Sequence, residues 1–212
     1  MRVTASETPF QGAKHLVDGY GIGPLTPNTV LLGQTGADKT YAEFCNMVSY
    51  IHASQRNVLI LRTPEEGESQ DNRAFPRIDV WWGGLKGNGA LMLIVADQLR
   101  LSARWRNAEI YLKLVVPDEA SVASAEENLK QRIQDLRINV TPDVIVARDR
   151  PFPQLLKSAS KNSSLVILGM ATPSDDFGEY YQGLQQRTAN LPLTLFVLAS
   201  EKVSFSEVLM QS

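Results

Sequence analysis

Covalent catalysis by serine or cysteine needs a base beside the nucleophile, and this chain offers two histidines, His15 and His52. His52 follows Cys45 by seven residues. That is about two helical turns, too far for a thiol–imidazole hydrogen bond. One cysteine and two distant histidines also cannot supply the clustered ligands of structural zinc. The adjacent acids Glu126-Glu127 and Asp175-Asp176 are of the type that holds a cation or divides acid and base roles, yet neighbouring side chains diverge. Asp175-Asp176 fits better as the start of a helix running through Tyr180. The residues assign no catalytic set and no metal site, and an enzyme is not expected.

The stretch Gly83-Gly84-Leu85-Lys86-Gly87-Asn88-Gly89 lies between an apolar run and a helical pattern. Exposed amides at such a turn can hold a phosphate, and Lys86 would add charge, so Gly83, Gly84, Lys86 and Gly87 are the candidate anion site. The P-loop order, with Lys and Ser or Thr after the last Gly, is missing, and glycines serve equally well in a tight strand-to-helix turn. Gly33-Gln34-Thr35-Gly36 and Gly169-Met170-Ala171-Thr172 stand at strand ends, where α/β sheets bind ligands, but neither spells a dinucleotide fingerprint. No cofactor is expected.

These residues have to be positioned by a substantial core. The chain has 212 residues, 43% of them hydrophobic, and a net charge of -2 from 21 basic and 23 acidic side chains. That balance gives no attraction for a phosphate backbone, so nucleic acid is not an expected partner. A single cysteine, no leader pattern and no apolar run approaching the ~20 residues of a membrane span fit a reducing cytosolic compartment.

Apolar runs bounded by turn residues predict strands at Thr29 to Leu32, Asn57 to Leu61, Ile78 to Trp82, Glu109 to Val116, Asn139 to Val146, Leu165 to Leu168 and Leu193 to Leu198. Several are apolar at consecutive positions, as in a parallel sheet covered by helices on both faces. Helical stripes recur at Tyr41, Phe44, Val48 and Ile51, at Leu91, Val95 and Leu99, and at Leu129, Ile133 and Leu136, the last after a start at Pro117-Asp118. The fold class is therefore α/β, a mainly parallel sheet flanked by helices. Of the pair Trp81-Trp82, which must point to opposite faces, one is expected in the core and the other under a helix or at a partner surface. The acidic stretch from Thr63 to Pro76 is too polar to order itself and reads as a solvated connector.

Laying Gly33 on Gly169 shifts the sequence by 136 residues (169 − 33) and aligns a weak repeat without a gap. Val30-Leu31-Leu32-Gly33 falls on Val166-Ile167-Leu168-Gly169, Tyr41 and Phe44 on Phe177 and Tyr180, and Leu59-Ile60-Leu61 on Leu195-Phe196-Val197. Each copy reads strand, glycine turn, helix, strand, which predicts two pseudo-repeated βαβ units, either joined edge to edge or forming two lobes. Shared α/β grammar would produce the same matches. The expected organisation is a linker over residues 1–14, a first α/β half over 15–116 and a second over 117–212, the two halves forming one continuous domain.

The run Gly21-Ile22-Gly23-Pro24-Leu25-Thr26-Pro27-Asn28-Thr29-Val30-Leu31-Leu32-Gly33 resembles a segment of the cytosolic domain of cation-chloride cotransporters. Ile78-Asp79-Val80-Trp81-Trp82, Gly83-Gly84-Leu85 and Trp105 follow in the family's order, and a weaker likeness extends through Leu191-Pro192-Leu193 to Leu198. The resemblance implies the C-terminal cytosolic domain of a prokaryotic member, a fold similar to universal stress proteins, and attachment to a transmembrane transport domain in the same polypeptide. It further implies a regulatory role and a homodimer at the cytoplasmic face of the cell membrane. The stress-protein likeness raises nucleotide sensing as the alternative, although Met170-Ala171-Thr172-Pro173 stands where that fold's glycine phosphate loop would be. A related amino-acid permease with the same tail is the neighbouring reading. Pro27 and the glycines Gly21 and Gly23 also suit tight turns, so the long motif serves either folding alone or contact with the transporter or a second subunit.

Overall fold

The computed structural model describes residues 5–20, 27–35, 40–64, 76–83, 86–136 and 138–200. Each predicted apolar run forms a strand: β1 (Thr29–Gly33), β2 (Asn57–Arg62), β3 (Arg77–Trp81), β4 (Glu109–Val116), β5 (Thr141–Val146), β6 (Leu165–Gly169) and β7 (Thr194–Leu198). They join in one sheet in the order β1-β2-β7-β6-β3-β4-β5. All pairings are parallel except β2 with β7. From β3 the chain winds outward through β4 and β5, then returns to lay β6 and β7 on the other side of β3.

Among the described residues six helices cover the sheet: α1 (Pro9–Gly19), α2 (Tyr41–Ala53), α3 (Lys86–Arg100), α4 (Val122–Leu136), α5 (Phe152–Ala159) and α6 (Phe177–Arg187). Strand alternation sends Leu59, Val80, Leu112, Ile167 and Val197 to the face closed by α3 and α4. Val58, Ile60, Trp81, Val166 and Phe196 face α2, α5 and α6, with α1 stacked outside α2. Asp118 caps a short 3₁₀ turn leading into α4 by accepting from Ser121 N–H, as the Pro117-Asp118 signal predicts. Asp176 takes the N-cap position of α6, but its carboxylate accepts from Ser174 Oγ and caps no backbone amide.

One expectation on organisation changes. Residues 9–14 of the expected linker are helical. Thr8 caps α1 by accepting from Gln11 N–H, Pro9 suits the first turn, and Phe10, Ala13 and Val17 form a stripe against the core beneath α2. The two halves share one sheet, in which β6 and β7 insert between β2 and β3. The acidic stretch 65–75 and residues 21–26 of the long motif lie outside the described residues.

The repeat is real in three dimensions. At the 136-residue shift β1 coincides with β6, α2 and α6 start at equivalent residues, and Leu31 pairs with Leu59 as Ile167 pairs with Leu195. The two βαβ units meet edge to edge through the antiparallel β2–β7 pairing. Above that seam α2 packs on α6, where Tyr181 lies 6.2 Å from Tyr41 and 5.8 Å from Phe44 in stacked geometry and meets Phe196 edge-on. Tyr181 occupies the position equivalent to Cys45, so one small and one large side chain share the space.

Candidate functional site

A doubly wound sheet opens a crevice where its strand order reverses, because the chain leaves neighbouring strands toward opposite faces. Here β3 feeds α3 on one face and its neighbour β6 feeds α6 on the other. A cavity of about 820 Å³ opens there, reached by the carboxyl ends of β3, β4 and β6 and the first turns of α3 and α5. Trp82, Met92, Leu114, Leu129, Phe152 and Leu168 give it apolar walls. Asn128 and Arg187 add polar groups, Arg187 from the last turn of α6. Such a lining suits a flat apolar group and holds no nucleophile beside a base.

Of the candidate anion residues, Gly83 lines this crevice, whereas Gly87 is turned toward Ala199 at the end of β7. Gly84 lies outside the described residues. Lys86 begins α3. The turn after β6 also reaches the crevice, through Gly169. Its equivalent after β1 does not. β1 runs against the parallel set, which carries Gly33 to the opposite end of the sheet, at the level of Leu61.

The first two amides of the β6 turn are already engaged. Met170 N–H donates to Val197 O at 2.8 Å, and Ala171 N–H donates to Tyr180 Oη at 2.8 Å. Buried Asn88 closes the turn from α3, donating from Nδ2 to Met170 O and accepting at Oδ1 from Ala199 N–H, each at 2.7 Å. The asparagine lies so close that a Cβ on Gly169 would sit 3.1 Å from its Nδ2. Gly89 is needed for a similar reason, since a Cβ there would fall 2.5 Å from the Trp82 ring. Both tryptophans follow the expected split: Trp81 is in the core, and Trp82 lies half-buried against α3.

The histidines and the cysteine stand apart from the crevice. His52 contacts Ala199 O at 3.2 Å through Nε2, His15 is exposed on α1, and Cys45 is buried on the inner face of α2. Burial raises the Cys45 thiol pKa, with a hydrogen bond to Tyr41 acting against it. Burial foremost also raises the Tyr41 and Tyr181 hydroxyls. Among the described residues no group of three or more His, Cys, Asp or Glu could hold a metal ion.

A buried charge network was not picked out in the sequence. Asp79 and Lys113 are 0% and 1% exposed. Asp79 accepts from Arg77 Nε at 2.8 Å, Ser160 Oγ at 2.9 Å and Ser163 Oγ at 2.5 Å, while Lys113 Nζ lies 3.8 Å from it and donates to Asp143. Ser160 Oγ also accepts from Trp81 Nε1 at 2.9 Å, so the network fixes the indole on which Phe152 packs edge-on at the crevice wall. Charges at alternate positions of three strands were the available signal, but only the adjacency of β3, β4 and β5 turns them into a cluster. At the seam, Arg62 donates to Thr188 Oγ1, Thr188 O and Thr194 Oγ1, bonding its cation to the C-cap of α6. Burial lowers its pKa.

The long motif has a folding role on the residues described. Asn57 N–H donates to Asn28 O at 2.7 Å, and the Asn57 side chain donates to Thr29 Oγ1 and accepts from Ser200 N–H, knitting β1, β2 and the segment after β7.

No family model matches the chain. Among solved structures, it is similar to the cytoplasmic domain of a prokaryotic cation chloride cotransporter, with a TM-score of 0.66 and 19% sequence identity over 95% of this chain and 74% of that one. The likeness shows a shared fold, an α/β sheet flanked by helices, as the sequence predicts.

Proposed function

We propose that this chain is the cytosolic regulatory and dimerisation domain of a membrane cation-chloride cotransporter, joined to the transmembrane transport domain in one polypeptide. The observation that carries the reading is the structural likeness over 95% of the chain to a cytoplasmic domain of such a transporter. It gains support from the order of the motifs from Gly21 to Trp105 along the sequence. No described helix is long and apolar enough to cross a membrane, so the described residues form the part outside the bilayer in this reading. The domain makes no bonds itself. It biases the transport cycle through contacts with the membrane part and with its dimer partner.

Nucleotide sensing is the competing use of the crevice. The engaged amides of Met170 and Ala171 and the turn closed by Asn88 argue against a phosphate seat at the β6 turn. Thermal melting of the chain with ATP, ADP and cyclic dinucleotides separates the two. Melting temperatures unchanged by nucleotide support the regulatory reading. A nucleotide-dependent rise that is lost in Gly83→Val would replace it with sensing.

A further inference from the structure

One wall of the crevice at the end of β3 is held in place by a strained turn. After β5, Arg148 (φ 46°) and Asp149 (φ 62°) both stand in the left-handed region, which a β-carbon disfavours and which non-glycine residues occupy mostly at sites that need a particular geometry. They lead directly into Pro151 and Phe152. The Phe152 ring is 47% exposed, yet it packs edge-on against Trp81 at 5.5 Å and lines the crevice. Half-buried Trp82 lines the same cavity. An aromatic ring continuous with an apolar cavity of about 820 Å³ is more than a scattered surface residue, and that volume is of the size that takes up a small molecule.

The charge of the lining says what kind of molecule fits. Among the described residues that line the crevice, Arg187 carries the one charge, and no carboxylate faces it. Its guanidinium has no ion pair or hydrogen bond among the described residues. Apolar walls with a single unpaired cation are complementary to an apolar molecule with one negative charge, and a carboxylate matches a guanidinium through two parallel hydrogen bonds. A polyphosphate is a poorer match, because the first two amides of the β6 turn are engaged and Asn88 closes that turn. We infer that the crevice binds an aromatic monocarboxylate, its rings against Trp82 and Phe152 and its carboxylate on Arg187. The inference rests on the regulatory reading and names the class of small molecule to which the regulation responds.

Isothermal titration calorimetry and thermal melting of the 212-residue chain test it, with naphthylacetate and its uncharged amide, naphthylacetamide, as probes. The variants are Arg187→Gln and Phe152→Ala. Both positions are exposed, so neither change should disturb folding, which circular dichroism checks. The unaltered chain is expected to bind the acid roughly tenfold or more tightly than the amide, and Arg187→Gln should abolish that difference without weakening the amide. Phe152→Ala should weaken both probes alike, by roughly threefold to tenfold. Acid bound as tightly by Arg187→Gln as by the unaltered chain overturns the assignment. No heat and no rise in melting temperature with either probe at millimolar concentration overturns the site and leaves the regulatory reading standing. That reading fails on a different result, a melting temperature that rises with nucleotide.

Discussion

Ile60 and Phe196 face each other across the antiparallel β2–β7 seam, and each is the other's equivalent in the 136-residue repeat. A pair that is its own symmetry mate marks the local two-fold axis of the fold. Both side chains are fully buried under α2 and α6. Phe196→Ala is expected to destabilise the chain by about 3–5 kcal/mol and Ile60→Ala by about 2–5 kcal/mol, the double variant by less than the sum because the two share one cavity. Urea denaturation of the three variants measures this.

Removing the carboxylate of Asp79 leaves buried Lys113 with Asp143 as its remaining anion and takes the acceptor from Arg77, Ser160 and Ser163. Asp79→Ala is expected to cost about 3–5 kcal/mol, with a change in tryptophan emission as Ser160 loses its hold on Trp81. Glu119→Ala, which breaks an exposed pair with Arg148, should cost about 0–1 kcal/mol. The same denaturation assay compares them.

Adding one methyl at two helical glycines should have opposite signs. Gly89→Ala drives a carbon into the Trp82 ring and is expected to destabilise by about 1–3 kcal/mol while shifting that indole's emission. Gly183→Ala on α6 meets nothing within 4 Å and should stabilise by about 0.5–1 kcal/mol through helix propensity. Melting curves and fluorescence read both.

Alkaline pH should unfold the chain in a defined order. The pKa values of Cys45, Tyr41 and Tyr181 are raised in the folded state, chiefly by burial, so folding favours their protonated forms. Their contribution is complete below the unfolded-state pKa and is lost as pH climbs toward the folded one. Stability should therefore start to fall near the ordinary thiol pKa of ~8.5 and fall faster above the ordinary tyrosine value of ~10. Cys45→Ala removes the first phase and leaves the second, a difference that denaturation midpoints between about pH 7 and 11 reveal.

Strands were legible because each is a short apolar run between Pro, Gly or Asn, and all seven fall within two residues of their predicted ends. The repeat was visible in the same way, although its meaning needed the β2–β7 seam, a pairing between residues more than a hundred positions apart. Helix α5 was not, because its stripe of Phe152, Leu155, Leu156 and Ala159 fits one helix face but spans only eight residues and holds Pro153. Helix α1 escaped notice because its stripe of Phe10, Ala13 and Val17 runs past the end of the assumed linker. At the crevice, the glycines were visible in sequence, but Asn88 as the clasp of the β6 turn and Asp79 as the anchor behind Trp81 follow only from contacts across the sheet.

The central claim is that this domain belongs to a membrane carrier, and an immunoblot of fractionated source cells with an antibody against the chain tests it most directly. The account expects a band in the membrane fraction with a mass well above the 23.5 kDa of this chain, as the proposed attachment to a transport domain in the same polypeptide requires. A 23.5 kDa band confined to the soluble fraction would contradict it.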